Sequence, residues 1–123
     1  MHITNETSYI SKNQVINESV MMKDERITIE GTVNGDVYAT GDAVTITGTI
    51  NGNVYIIAKD ISLSGKVRES VYVSGKKISI HDIEVGNDVK ALGDMICITN
   101  STDVKGGLFY WSGKKRDSCK QEE

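Results

Sequence analysis

The sequence predicts an all-β fold, a parallel β-helix (β-solenoid) of about six rungs of roughly 17 residues each. Three observations predict this fold. Short runs of Val, Ile and Thr alternate with polar residues, as in β-strands with one buried face. The 123 residues include 12 Gly and no Pro, a composition that favours β-structure. Finally, two blocks of sequence recur with the same offset, which indicates a stacked structural repeat.

The first repeated block is VNGDVYA at residues 33–39, and its copy INGNVYI begins at Ile50, an offset of 17 (50 minus 33). The same register extends forward to VRESVYV at 67–73 and backward to INESVMM at 16–22. Each block alternates apolar and polar residues around a core Val, which is typical of a short strand. These four blocks therefore predict four consecutive rungs.

The second repeated block reads ITI at 27–29, VTI at 44–46, ISL at 61–63 and ISI at 78–80, again 17 residues apart. After Ile80 the spacing loosens to 18 and then 19 residues, from Val67 to Val85 to Val104, so we expect small insertions at the turns. Corners such as 40–43 and tight turns at Gly31, Gly48 and Gly65 should separate the strands. The predicted inward side chains of two rungs are Val33, Val37, Ala39, Val44, Ile46, Ile50, Val54, Ile56, Ile61 and Leu63.

The repeat defines one domain over residues 15–113, with a polar N-terminal tail or partial cap at 1–14 and a polar C-terminal tail at 114–123. No segment is apolar and long enough to span a bilayer, and the N-terminus lacks the features of a signal peptide. The formal net charge of -3 gives no basic surface for nucleic acid, which we exclude as a partner. Cys97 and Cys119 could pair, but they have no spacing typical of a metal site or disulfide framework, so free thiols in a cytoplasmic protein are the favoured interpretation.

Three stretches of the repeat resemble a known family. The pattern Gly-x-Val-x-Gly-Asp-Val from Gly31, the longer run VTITGTINGNV from Val44 and VGNDVKALGD at 85–94 look like the rungs of bactofilins, the polymer-forming bacterial cytoskeletal proteins. The resemblance covers roughly residues 16 to 113. It implies a right-handed, three-sided β-helix that polymerises end to end through its terminal rungs without nucleotide. It also implies a scaffold role, often at the membrane.

The ends of the solenoid are the first candidate site, because a stack of rungs leaves an unpaired edge and an exposed core at each terminus. No capping helix is evident in the sequence. We therefore predict a polymerisation interface, with the alternative that the C-terminal aromatic residues cap a monomer. Its residues are Leu108, Phe109, Tyr110, Trp111, Ile10 and Ile16.

A column of outward tyrosines, Tyr38, Tyr55 and Tyr72, is the second candidate site, flanked in register by Met21 and Lys90. It could form a lateral contact, a membrane-facing strip or a platform for glycans, but simple cross-strand stabilisation of the sheet is the favoured interpretation. A parallel column of Thr and Ser residues is interpreted as a solvated face. His81 is interpreted as a surface residue, because no second ligand recurs at metal-binding spacing.

The sequence is compatible with three candidate functions. The leading one is a structural, self-assembling scaffold whose partner is itself, located in the cytoplasm, with contacts to a membrane surface or cell-envelope proteins as a further expectation. The second is a monomeric surface or glycan-binding module that uses the Tyr or the Thr and Ser column. The third, a hexapeptide-repeat acyltransferase, is the weakest, because such repeats give about 18 residues per turn with even internal spacing. We expect no catalytic residues, cofactor or metal, and hence no enzyme.

Overall fold

The computed structural model describes residues 2–4 and 8–113. Strands account for most of this part of the chain, and every pair of neighbouring strands runs parallel. Parallel strands need a crossover connection, and here each crossover is one turn of the solenoid. The strands are β1 (His2–Thr4), β2 (Tyr9–Ile10), β3 (Val15–Ile16), β4 (Val20–Ile29), β5 (Thr32–Val33), β6 (Val37–Ile46), β7 (Thr49–Ile50), β8 (Val54–Val67), β9 (Val71–Val85), β10 (Val89–Ile98), β11 (Asp103–Val104) and β12 (Leu108–Ser112).

The turns stack in the predicted register. Val20 pairs with Val37, Val37 with Val54 and Val54 with Val71, three steps of 17 residues. The next steps, from Val71 to Val89 and on to Leu108, take 18 and 19 residues (89 minus 71 and 108 minus 89). The prediction of an all-β parallel β-solenoid of about six turns is confirmed.

Each turn contacts the next along three short segments, which make three sides of the solenoid. Between the turns that begin at Val37 and Val54, the paired segments are 37–41, 43–46 and 49–50. The sequence predicts a four-residue corner at 40–43, but β6 runs through this bend as one strand. Gly41 makes this possible, because a Cβ there would lie 2.0 Å from the carbonyl oxygen of Asp24 in the turn below. The bend is therefore a close contact of backbones and not a loop.

The core is a continuous column of aliphatic side chains inside the three sides. All ten predicted inward residues are buried, and so are their counterparts in the neighbouring turns, such as Val20, Val71 and Ile78. Because parallel turns place like residues above one another, the column is built from Val, Ile and Leu stacked on Val, Ile and Leu. Burial of these side chains is the main favourable contribution to the fold.

The first extra residue of the later turns is a bulge within strand β9, whereas the second lies at a turn, as predicted. The register shifts between Leu63 and Gly65, so that the first extra residue lies at His81 or Asp82. Asp82 has a positive φ of 48°, a conformation that Asp tolerates better than most residues. The second extra residue lies within 99–102, where the Ser101 hydroxyl accepts a hydrogen bond from the backbone N–H of Asp82 at 2.9 Å.

One corner of the solenoid is held by a ladder of hydrogen bonds from backbone to side chain. At the position before each core Val, a polar side chain accepts the backbone N–H of the equivalent residue in the next turn, at 2.8 to 3.2 Å. This satisfies backbone donors that would otherwise be left without partners at the corner. The acceptors are Ser19, Asp36, Asn53, Ser70 and Asp88, and the last donor is Gly107.

The N-terminal segment, predicted as a polar tail or partial cap, contributes strands to the sheet where it is described. β1 pairs with β4 at residues 20–22, and β2 pairs with β4 at Thr28 and Ile29. The predicted tail at 114–123 and Cys119 lie outside the described residues.

Candidate assembly surfaces

The C-terminal end of the solenoid exposes side chains that belong to the core. Leu108 and Tyr110 lie in register with the buried Val89 and Ala91, so they occupy inward positions. They are nevertheless 40% and 46% exposed. Among the described residues, β12 pairs with β10 on one side and with no strand on the other. The predicted C-terminal residues thus lie on an apolar strand edge.

Phe109 and Trp111 occupy the outward positions of the same strand, and they are 50% and 71% exposed. Together, the four residues 108–111 present both faces of β12 to solvent. Large exposed apolar groups next to an unpaired strand edge are unusual in a monomer and are typical of an interaction site.

The N-terminal members of the predicted interface lie at the opposite end of the solenoid. Ile10 is only 4% exposed, and Ile16 is partly buried against the core. Among the residues of this turn whose burial is described, the exposed apolar groups are Tyr9 and Val15. The Tyr9 hydroxyl donates a hydrogen bond to the Glu30 carboxylate at 2.7 Å, which raises the pKa of Tyr9. The N-terminal contact surface would therefore be formed by Tyr9 and Val15 more than by Ile10.

The tyrosine column forms the predicted stack. The ring centroids of Tyr38 and Tyr55 are 4.9 Å apart with an interplanar angle of 6°, and those of Tyr55 and Tyr72 are 5.2 Å apart at 10°. The Lys90 ammonium continues the column, at 5.7 Å from the Tyr72 ring and 5.9 Å from the Phe109 ring. Burial, followed by the charges of neighbouring groups including Tyr38 and Asp36, raises the pKa of Tyr55.

This stacking bears on the use of the column as a glycan platform. A platform for sugar rings presents aromatic faces to the ligand. Both faces of Tyr55 are covered by Tyr38 and Tyr72, so only ring edges point outward. The geometry favours the cross-strand interpretation of the column over a sugar-stacking one.

Beside the tyrosine column, the surface forms an open groove with a volume of about 900 Å³. Its second wall comes from the outward side chains two residues further along each strand, and its floor is the sheet between the two walls. The sequence reasoning did not find this wall. Its residues are Thr40, Ile57, Ser74, Leu92 and Trp111.

The Thr and Ser column and His81 lie on another side of the solenoid. Thr28, Thr45, Ser62 and Ser79 pair in register and are half-buried. His81 lies 3.4 Å from the Asp82 carboxylate. Hydrogen bonds from Ser101 and His81 lower the pKa of Asp82. Within the described part of the chain, no three His, Cys, Asp or Glu side chains are grouped so that they could hold a metal ion.

Cys97 continues the Thr and Ser column, opposite Ser79. The expectation of a free thiol is wrong for this residue, because Cys97 is disulfide-bonded. An outward position on a strand makes its sulfur accessible for such a bond. Residues 2–4 and 8–113 include no helix of the length and hydropathy needed to cross a bilayer.

The described residues define a parallel β-solenoid that has an apolar end to which no described strand is added, and an apolar groove on one side. In comparisons with protein-family models, curated proteins and solved structures, no match to this chain is found.

Proposed function

We propose that this chain is a structural, self-assembling scaffold that forms filaments by end-to-end stacking of solenoid turns. The observation that supports it best is the last described strand, β12, in which Leu108 and Tyr110 hold inward positions yet remain exposed. The bactofilin-like pattern of the turns implies the same kind of assembly. In this proposal the partner is a second copy of the chain.

Two physical contributions would stabilise the contact. The open edge of β12 can pair with a strand of another copy, which is how sheets recruit a further strand. Burying an exposed aliphatic or aromatic side chain contributes about 1.5 to 3 kcal/mol, so the residues 108–111 supply several such terms. The cost of association opposes these gains, so only the surplus stabilises a filament. Neither contribution involves a nucleotide, and the proposal includes none.

The remaining expectations form part of the same proposal: the chain is not an enzyme, and its contacts outside the filament are with a membrane surface or with cell-envelope proteins. One observation, the disulfide of Cys97, opposes the proposed cytoplasmic location. Disulfides persist mainly in oxidising compartments, and Cys97 is disulfide-bonded. Alkylation of cells before lysis measures the thiol state of Cys97. A free thiol indicates the cytoplasm, and a disulfide indicates an oxidising compartment.

Negative-stain microscopy of the purified chain tests the assembly. We expect filaments or sheets from the unmodified protein, and their loss in Leu108→Arg and Phe109→Arg variants, because a cation on the apolar edge would be buried without a partner. Thr47→Arg is the matched control, since Thr47 is exposed on another side and should leave filaments intact. All three variants should retain a β-type circular dichroism spectrum. A monodisperse monomer at high concentration of the unmodified chain would contradict the proposal.

The groove supports a second candidate function, a monomeric binding module. An apolar groove of about 900 Å³ has the size of ligand sites in proteins. The two candidates differ in the state of the active species, a filament in one case and a monomer in the other. Sedimentation velocity over a wide concentration range distinguishes them.

A further inference from the structure

The groove beside the tyrosine column is lined mainly by apolar and aromatic side chains, and its polar members are Thr40, Ser74, Asp88 and Lys90. On the wall away from the tyrosines, Ile57 is 65% exposed and Leu92 is 55% exposed, although both face a concave surface. Trp111 closes this wall at the C-terminal end. When an apolar ligand displaces water from a concave surface lined by apolar side chains, apolar surface is removed from water and the free energy falls. The groove therefore favours an apolar ligand.

The width of the groove selects the shape of the ligand. Its walls come from residues two apart on each strand, such as Tyr55 and Ile57, so their Cβ columns are separated by about 7 Å. Carbon atoms in van der Waals contact are about 3.5 to 4.0 Å apart, so one row of carbon atoms can touch both walls at once. A peptide strand with its side chains, or a sugar ring, is broader than this space. An extended hydrocarbon chain fits it.

The length of the groove indicates the length of the hydrocarbon chain, and the charge at its end indicates the charge of the head group. The turns that hold Tyr38 and Lys90 are three strand spacings apart, about 14 Å. That length accommodates about a dozen carbons of an extended chain with bonds of about 1.5 Å. At the C-terminal end of this span, the Lys90 ammonium has no carboxylate within ion-pair distance among the described residues. Its nearest described partners are two aromatic rings.

Asp88 also lines the groove, but its carboxylate is engaged elsewhere. One of its oxygens accepts the backbone N–H of Gly107 at 2.9 Å, as the last step of the corner ladder. The cation available to a ligand is therefore Lys90, and its charge complements a single anionic head group.

We propose that this groove binds a free fatty acid of about twelve carbons, with the hydrocarbon chain between the tyrosine column and the wall of Ile57 and Leu92, and the carboxylate on Lys90. All residues of the site come from one copy of the chain, although Phe109 and Trp111 also belong to the proposed assembly interface. Phe109 and Trp111, which line the groove at the same end as Lys90, would flank the head group.

Titration with dodecanoate, kept below its micelle concentration at pH 8, tests the proposal. Trp111 is the single tryptophan of the chain and lines the groove, so its fluorescence reports binding directly. We expect a saturable blue shift with a stoichiometry of one per chain. Dodecanol, which has the same chain and no charge, should bind about tenfold more weakly, because it lacks the charge-assisted contact.

Two variants locate the site. Ile57→Asp should abolish the fluorescence change, because it places a carboxylate against the hydrocarbon chain. Thr47→Asp is its matched control on another side of the solenoid and should bind dodecanoate normally. Lys90→Gln should lower the affinity for dodecanoate about tenfold and leave that for dodecanol unchanged. The circular dichroism spectrum establishes that each variant is folded.

Three results would overturn the inference. Equal affinities of the unmodified chain for dodecanoate and dodecanol would remove the role of Lys90. Binding to vesicles of anionic phospholipid without binding of monomeric dodecanoate would make the face a membrane-docking surface. Dodecanoate binding that survives Ile57→Asp would place the ligand elsewhere. None of these results bears on filament formation, which is scored separately by microscopy.

Discussion

A buried side chain of this solenoid contacts its counterparts in the turns above and below. Leu63, for example, lies in register with Ile46 on one side and Ile80 on the other, and all three are buried. A substitution at such a position therefore perturbs three turns. Residues at the two ends have one neighbouring turn only, so the middle of the stack is the most sensitive place to test the register.

Leu63→Asp is expected to unfold the chain, because it buries an unpaired carboxylate at a cost of several kcal/mol. Thermal unfolding followed by circular dichroism measures the effect. Thr47→Asp, which introduces the same group at an exposed position, should melt within a few degrees of the unmodified protein. A Leu63→Asp variant with a normal melting temperature would contradict the inward placement of this residue.

Gly48 is required by close approach of two backbones. A Cβ at this position would lie 2.0 Å from the carbonyl oxygen of Gly31 in the turn below, a distance that no real contact reaches. Gly48→Ala should therefore lower the free energy of unfolding by about 2 to 4 kcal/mol. Urea unfolding gives this value, with Thr47→Ala as the neighbouring control. A change below about 0.5 kcal/mol would show that the turns are further apart than described.

At the scale of the strands, the tyrosine column stabilises the fold through pairs of stacked rings. Tyr55 stacks on two tyrosines, whereas Tyr38 stacks on one tyrosine. Each aromatic pair contributes about 0.5 to 1.5 kcal/mol beyond its buried area, so Tyr55→Leu should cost about twice as much stability as Tyr38→Leu. Urea unfolding of the two variants measures the ratio. Equal costs would indicate that the rings contribute by burial alone.

The same stack predicts a dependence on alkaline pH. The pKa of Tyr55 is raised above its ordinary value of 10.0, first because burial disfavours the charged form and then because neighbouring groups such as Tyr38 and Asp36 disfavour a further negative charge. Its contribution to stability is present below the unfolded pKa and is lost as the pH rises through the folded one. Tyrosinate absorbance should show Tyr55 ionising late, and Tyr55→Leu should remove that component. Ionisation of Tyr55 at its ordinary pKa in the folded protein would contradict the stacked arrangement.

The elements also show what could be predicted from the sequence. The strands of the first four rungs were predictable, because Val, Tyr and Asn recur at identical offsets and the alternation identifies the inward face. The corner ladder was not predicted, although Ser19, Asp36, Asn53 and Ser70 are spaced by 17 residues. Ser, Asp and Asn are different residue types, so their recurrence gives no identity in the repeat, yet each side chain supplies an oxygen that accepts a hydrogen bond. A search by hydrogen-bonding capacity at each offset would have found them.

The second wall of the groove could not be predicted for a related reason. Thr40, Ile57, Ser74, Leu92 and Trp111 share no chemistry, so they give no repeat signal. Their importance depends on exposure and on the depth between two side-chain columns, and both follow only from the three-dimensional structure. The disulfide of Cys97 likewise has no spacing signal in a chain with two cysteines.

At the scale of the whole molecule, the two ends of the stack differ. The described N-terminal turn buries Ile10, whereas the C-terminal strand exposes Leu108 and Tyr110. The insertions also fall in the later turns. In a solenoid each turn is stabilised by its neighbours, and among the described residues the turn that contains β12 has a neighbouring strand on one side only. Assembly through this end would supply the missing neighbour.

Fibre diffraction or cryo-electron microscopy of assembled protein tests the central claim, that copies stack end to end along the solenoid axis. End-to-end stacking predicts strands perpendicular to the filament axis, with a spacing of about 4.8 Å, and an axial subunit repeat of roughly 30 to 35 Å, the height of six to seven stacked strands. Filaments in which the strands run along the axis, or an axial repeat unrelated to that height, would contradict it.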